Sequence, residues 1–308
     1  MTPSVTRRSL LAGSAAAVFA NSSSAASRPV RLGGPIFLKS DDPVALAKEH
    51  RRLGYSAAYC PPAKADDAEH TRAIEKAFAA ENVVIAEVGA WKNMLDPDEN
   101  KRRENLAYVV ERCALADAVG ARCCVDIAGS YNPSVWYGMD PRNVSKQFLD
   151  ATVQNCRHVI DSVKPKRTKF TIEMMPWNLP DGPDAYLELI RAVDRSAFGV
   201  HLDVCNIINS PRKFYANAEV IRECFQKLGT RIISCHAKDL KWIPEYNVHF
   251  LEVAPGQGQI DYAAYVHELS RLSTDAPLML EHLNTPEDYE VGKQHILKTA
   301  AAAGVTIA

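Results

Sequence analysis

FTIEMMPWN (170–178), FGVHLDVCN (198–206), RIISCHAKDL (231–240) and APLMLEHL (276–283) are four short apolar runs, each with polar or ionisable residues near its C-terminal end. Runs of this length and β-branched content, separated by helical segments, read as strands of a parallel sheet. A buried carboxylate is costly unless it is paired or bound to a metal. Glu173, Asp203, His236 and Glu281 nevertheless recur once per run. A lone strand-end carboxylate is most often a helix cap; four ionisable groups at matching places on four consecutive strands point to one site. Alternate residues on a strand share a face. If the strands lie side by side in a barrel, the four groups converge at its C-terminal mouth, where (β/α)8 barrels carry their active sites.

The rest of the chain extends the pattern. VRLGGPIF (30–37), SAAYCP (56–61), VVIAEVGAW (83–91) and RCCVDIAGS (122–130) read as four earlier strands. Helical segments fall at 43–53, 66–80, 97–119, 141–163, 183–194, 215–228, 261–273 and 287–302. Eight strands alternating with eight helices is the signature of a parallel α/β fold, and the count favours a closed TIM barrel. No G-x-G-x-x-G follows the first strand, so a dinucleotide fold has no support. No internal linker is visible, so residues 29–308 read as one domain.

Residues 1–28 stand apart. Arg7-Arg8, an Ala-rich apolar run to Ala20 and SSSAAS (22–27) have the layout of a signal peptide. The arginine pair makes it a twin-arginine signal, which predicts export of the folded protein to the periplasm. Cleavage near Ala20 or Ala26 leaves roughly 280 residues, a typical barrel size. The eight cysteines form no C-x-x-C pair, and Cys123, Cys124, Cys205 and Cys235 fall inside expected strands. They read as small buried hydrophobes rather than disulfide partners. A formal net charge of −1 gives no electrostatic case for a nucleic-acid partner, and no apolar run reaches the ~20 residues of a membrane span.

Carboxylates with one imidazole and mainly oxygen donors suit Mn²⁺, Mg²⁺, Co²⁺ or Fe²⁺ better than a structural zinc, with Mn²⁺ the expected ion. Such an ion can polarise a sugar carbonyl while a neighbouring base moves a proton through an enediolate. Lys238 shares a face with His236, so it is a candidate for binding a substrate oxygen or, alternatively, an ion-pair partner of Asp239 or Glu281. His201 is either a catalytic base or a core histidine. Trp91, Trp136 and Trp177 lie at strand ends or loops, where aromatic platforms suit sugar rings. Asn206 is a candidate for a substrate hydrogen bond or a turn cap. Glu87 and Asp126, inside their strands, read as packing or supporting groups whose loss should matter less than that of Glu173.

IEMMPWN, GVHLDVCN, SCHAKDL, the loop EVAPGQGQIDY (252–262) and LMLEHL resemble the xylose isomerase-like barrel superfamily, the sugar phosphate isomerase/epimerase group. The similarity covers nearly all of residues 29–308. It implies a divalent metal held by Glu173, Asp203, His236 and Glu281, with Glu173 and Glu281 as the acid/base pair of an epimerase acting on a small carbohydrate. Barrels of this group commonly associate, so a homo-oligomer is expected. Two positions depart from its ketose epimerases: Asn206 replaces a histidine, and Trp242 replaces an arginine. The tryptophans and the export signal look more like the subgroup that acts on 3-keto-glycosides as epimerases or lyases, where His201 or Lys238 would be the base. An abasic-site endonuclease, which needs more histidine ligands and a basic groove, and a non-catalytic sugar-binding barrel are the competing readings.

Overall fold

The computed structural model describes residues 27–308. The expected twin-arginine segment and both cleavage positions lie outside the described residues. The barrel strands are β1 (Leu32–Gly33), β2 (Ala57–Tyr59), β3 (Val84–Gly89), β4 (Cys123–Asp126), β5 (Lys169–Glu173), β6 (Phe198–Leu202), β7 (Ile232–Ala237) and β10 (Leu278–Leu280). They close in the order β1-β10-β7-β6-β5-β4-β3-β2, every neighbour parallel. This is the expected (β/α)8 barrel. Beyond β7 the chain makes an antiparallel ribbon, β8 (Asp239–Trp242) with β9 (Phe250–Val253), that the strand pattern did not anticipate.

The surrounding helices are α1 (Pro43–Arg52), α2 (Ala68–Ala80), α3 (Glu99–Val119), α4 (Lys146–Val163), α5 (Pro183–Val193), α6 (Val204–Ile207), α7 (Pro211–Tyr215), α8 (Asn217–Leu228), α9 (Tyr262–Arg271) and α10 (Pro286–Ala302). Their starts are written locally: Asp42, Asp67, Asp98, Ser145 and Thr285 each accept hydrogen bonds from first-turn backbone amides. The helix expected from Pro141 begins instead at Lys146, after a 3₁₀ turn over Pro141–Val144. Only Leu32–Gly33 of the expected first strand joins the ladder. Among the described residues, no helix is long and apolar enough to cross a membrane.

Most of the core lies between the outer strand faces and the helices, where Ile74, Phe78, Leu115, Phe148, Ile172 and Tyr265 are almost fully buried. A smaller cluster of Ala57, Ala86 and Met279 plugs the lower barrel. Gly33 makes room for it, since a Cβ there would lie 2.5 Å from the Met279 sulfur. All eight cysteines are free, and all but Cys60 are buried. Cys205 sits in α6 rather than in a strand, because β6 ends at Leu202.

Two strand pairs contain a β-bulge. Pairing jumps from Ala58–Ile85 to Tyr59–Glu87 between β2 and β3, and from Val200–Ile232 to His201–Ser234 between β6 and β7. Ala86 and Ile233 are the extra residues, and each bulge reverses the in–out alternation of the residues after it. Above them Glu87, Ser234 and His236 face the barrel interior, where their side chains meet.

Candidate active site

The site lies at the C-terminal mouth. Glu173 is the last residue of β5, Asp203 follows β6, His236 is near the end of β7, and Glu281 follows β10. One donor atom from each of the four lies within 4.8 Å of every other. His236 Nδ1 is 3.0 Å from Glu173 Oε1, 2.8 Å from Glu281 Oε2 and 3.8 Å from Asp203 Oδ2. Lys238 Nζ lies 2.8 Å from Asp203 Oδ2 and 2.9 Å from Glu281 Oε2. Its ion-pair partners are these carboxylates, not Asp239.

Local structure aims each group. Asp203 caps α6, its Oδ1 accepting from the amides of Cys205 and Asn206, which leaves Oδ2 directed at Lys238. Asn206 Nδ2 donates to Glu173 Oε1 and to the Met174 carbonyl, so Asn206 orients Glu173 as well as facing the cavity. Asp239 accepts backbone N–H bonds from Leu240, Gly256, Gly258 and Ile260. That clamp explains why H-x-K-D and P-G-x-G-x-I-D occur together: the first motif's aspartate holds the second motif's loop. Gly258 is required there, because a Cβ would lie 2.3 Å from Asp239 Oδ1.

The electrostatics are those of an acid-rich pocket. Burial opposes charge on the His236 imidazole, but Glu281, Glu87 and Glu173 outweigh it and push its pKa well up. Burial likewise opposes charge on Lys238, and Asp203, Glu173 and Glu281 outweigh it. Burial works against ionisation of Glu281 too, yet His236 and Lys238 hold its carboxyl down at about 2. Glu173 goes the other way: burial pushes it up, and the same cations only partly compensate. Glu87, Glu173, Asp203 and Glu281 outnumber the two cations among them. Asp203 Oδ2 and Glu281 Oε2, though close to Lys238, accept no well-directed hydrogen bond. A donor set with unsatisfied carboxylate oxygens and surplus negative charge fits a hard divalent cation.

Glu173 and Lys238 border a cavity of about 410 Å³. Trp91, Ile127, Trp136, Tyr137 and Met175 supply its mainly apolar lining, and Asn206, Lys238, Glu252 and His282 polar groups. Trp91 adopts a left-handed backbone conformation, φ 49°, that a bulky residue rarely takes, and so does His282, at 58°. The Trp91 indole folds back over Gly89, where a Cβ would be 2.2 Å from Nε1. Trp177 does not line the cavity and is 56% exposed. His201 is fully buried, its ring 4.2 Å from that of His236 and its Nε2 on Glu87, so it does not face the cavity.

Three polar or titratable cavity residues escaped the sequence reading. Glu252 and His282 hydrogen-bond each other, Nδ1 to Oε1 at 3.1 Å, across the mouth. Both lie inside quoted motifs, and the adjacency of His282 to Glu281 was the available signal. Tyr137 follows Trp136 in an irregular loop, where no periodicity indicates direction.

The sequence model of the family described as xylose isomerase-like TIM barrel matches residues 47–299. The chain belongs to this family. A search of curated proteins found no match. Among solved structures, a xylose isomerase-like TIM barrel protein from Mycobacterium smegmatis in complex with magnesium is 16% identical. It aligns over 89% of this chain and 97% of its own, with a TM-score of 0.62. The apo 3-keto-D-glucoside 4-epimerase YcjR from E. coli is 11% identical over 89% of this chain and 100% of its own, with a TM-score of 0.63. Endonuclease IV from Thermus thermophilus is 14% identical over the same shares, with a TM-score of 0.65. At such identities these likenesses establish the fold.

Proposed function

We propose that the chain is a divalent-metal-dependent epimerase or isomerase that moves a proton beside the carbonyl of a keto-sugar or keto-glycoside, through an enediolate. The observation that carries this reading is the convergence of Glu173, Asp203, His236 and Glu281 at the barrel mouth, where Glu173 opens on a cavity lined by Trp91, Trp136 and Tyr137. These four would hold the ion, with Mn²⁺ the expected occupant. When bound, it would supply Lewis-acid polarisation of the substrate's carbonyl and adjacent oxygen. The family match and the likeness to a 3-keto-glucoside epimerase support the substrate class.

The chain's own residues supply the rest. Glu173, at the end of β5, and Glu281, after β10, are the two carboxylates of the acid/base pair. Lys238 presents an ammonium to the oxygen on which negative charge develops. Trp91 packs against one sugar face, while Trp136 and Tyr137 exclude water.

Besides Trp91 the cavity lining includes Trp136 and Tyr137, both partly exposed, and these aromatics offer a place for an aglycone. This favours a keto-glycoside and, as the second reading, a lyase that loses the aglycone after the same proton abstraction. Incubation of Mn²⁺-loaded protein in D₂O with keto-sugars and 3-keto-glycosides, followed by NMR, tests both. Deuterium next to the carbonyl, lost on chelation, is the expected result, and the product separates epimerase from lyase. No exchange with any substrate, with metal bound, would remove the proposal. Export by the Arg7-Arg8 signal belongs to the same reading, and cell fractionation of wild type against R7K/R8K tests it.

A further inference from the structure

Beneath the quartet lies a second layer of polar side chains, all buried: Glu87 from β3, His201 from β6, and Ser234 and His236 from β7. Glu87 Oε1 accepts from Ser234 Oγ at 2.5 Å and from His201 Nε2 at 2.9 Å. Its Oε2 accepts from His236 Nε2 at 3.2 Å. Three donors thus converge on one carboxylate. The two bulges produce this layer, since without the extra Ala86 and Ile233 the inward faces of β3 and β7 would carry different residues. His236 is the only member that also belongs to the quartet. Its Nε2 points down to Glu87 and its Nδ1 points up to Glu173 and Glu281.

We propose that Glu87 is a positioning residue for the metal centre: it holds the Nε2 proton of His236 so that Nδ1 presents its lone pair to the ion, while Ser234 and His201 hold Glu87. The inference rests on the metal reading of the quartet. An imidazole ligates through one nitrogen only when the other carries the proton, and a carboxylate partner fixes both that choice and the ring plane. Glu87, His201 and His236 also have donor atoms within 4.8 Å of one another, which raises a second ion as an alternative. The contacts of 2.9 and 3.2 Å are hydrogen-bond separations between sealed side chains, and a hydrogen-bonded layer accounts for them without an ion.

A glutamine at position 87 cannot accept from all three donors. Its amide NH₂ must face one of them, and where it faces His236 it turns Nε2 into an acceptor and leaves the proton on Nδ1, in competition with the ion. Mn²⁺ affinity and stoichiometry of the full chain, wild type, E87Q, S234A and E173Q, are measured by calorimetry. Ring ¹⁵N–¹H NMR of the Mg²⁺-loaded wild type reads which nitrogen of His236 is protonated. The expected result is one ion per chain, a loss of affinity of about 10–100-fold in E87Q, a smaller loss in S234A, and a proton on Nε2. Unchanged affinity in E87Q, or an unprotonated Nε2 in the wild type, overturns the proposal. Two ions per chain, one of them lost in E87Q, replaces it with a second metal site. If E173Q keeps wild-type affinity, the quartet reading itself fails, whatever E87Q does. Should E87Q not fold, S234A and the wild-type ring spectrum still decide.

Discussion

Replacing Lys238 by methionine removes the cation that neutralises the quartet while keeping the length of its stem. Lys238 is 3% exposed, with Nζ 2.8 Å from Asp203 Oδ2, 2.9 Å from Glu281 Oε2 and 4.0 Å from Glu173 Oε1. Water does not screen these contacts. Deleting one partner of such a buried pair costs about 3–5 kcal/mol, because the remaining charges are left uncompensated. For a chain of this size each kcal/mol moves the melting temperature by roughly 2–4 °C. Lys238→Met in EDTA should therefore melt on the order of 10 °C below wild type. A divalent ion replaces the missing charge, so the variant should bind Mn²⁺ more tightly. At equal free Mn²⁺ it should recover more stability than the wild type gains, which for the latter is about 2.7 kcal/mol at 100 times its Kd. Turnover should still be lost, because the ion does not take over the ammonium's contact with substrate. Calorimetric melts with and without Mn²⁺ measure both quantities. A variant that melts within about 2 °C of wild type in EDTA, or equal metal stabilisation of the two proteins, would refute the charge argument and the quartet's role in it.

Glu173→Gln should lower kcat by about 100-fold or more and weaken Mn²⁺ binding, with circular dichroism unchanged; full activity would exclude Glu173 as a proton carrier. Metal binding should release about one proton per ion, because the surrounding carboxylates keep His236 protonated against its burial and Nδ1 must shed that proton to become a ligand. Affinity should accordingly fall as pH is lowered, and calorimetry in buffers of different ionisation enthalpy counts the proton. Trp136→Ala should raise KM for a keto-glycoside while leaving that for a free keto-sugar nearly unchanged, since Trp136 lines the cavity and is itself partly exposed; equal effects on both would place the aglycone elsewhere.

Much of the architecture was legible because burial on both faces makes a parallel strand an unbroken apolar run. FTIEMM, FGVHL and RIISCHA are such runs, and an ionisable residue closing each is conspicuous. What periodicity could not supply was direction at the mouth. Trp91 and Trp177 look alike as strand-end tryptophans, yet one folds over Gly89 and lines the cavity while the other does not line it. The difference lies in backbone angles after the strand, which depend on tertiary contacts. The β8–β9 ribbon was missed for a similar reason. Its strands pair with each other outside the barrel, and β9 is half-exposed, so neither presents a continuous apolar run.

Glu87 shows where a period of two misleads. Val84, Ala86 and Val88 alternate cleanly with Ile85 and Glu87, and a regular strand that turned Ala86 inward beside Ala57 and Met279 would have turned Glu87 outward, against the helices. There its charge would have had to find a partner among apolar side chains. The bulge after Ile85 lets Ala86 and Glu87 both serve the interior, one filling the lower barrel and the other reaching His236. The matching bulge at Ile233 does the same for Ser234 and His236. A bulge sacrifices ladder hydrogen bonds locally, and it persists where it re-aims a side chain. Two of them, on strands that do not pair with each other, deliver their residues to the same carboxylate, and that coincidence ties the barrel's irregularities to its site rather than to packing.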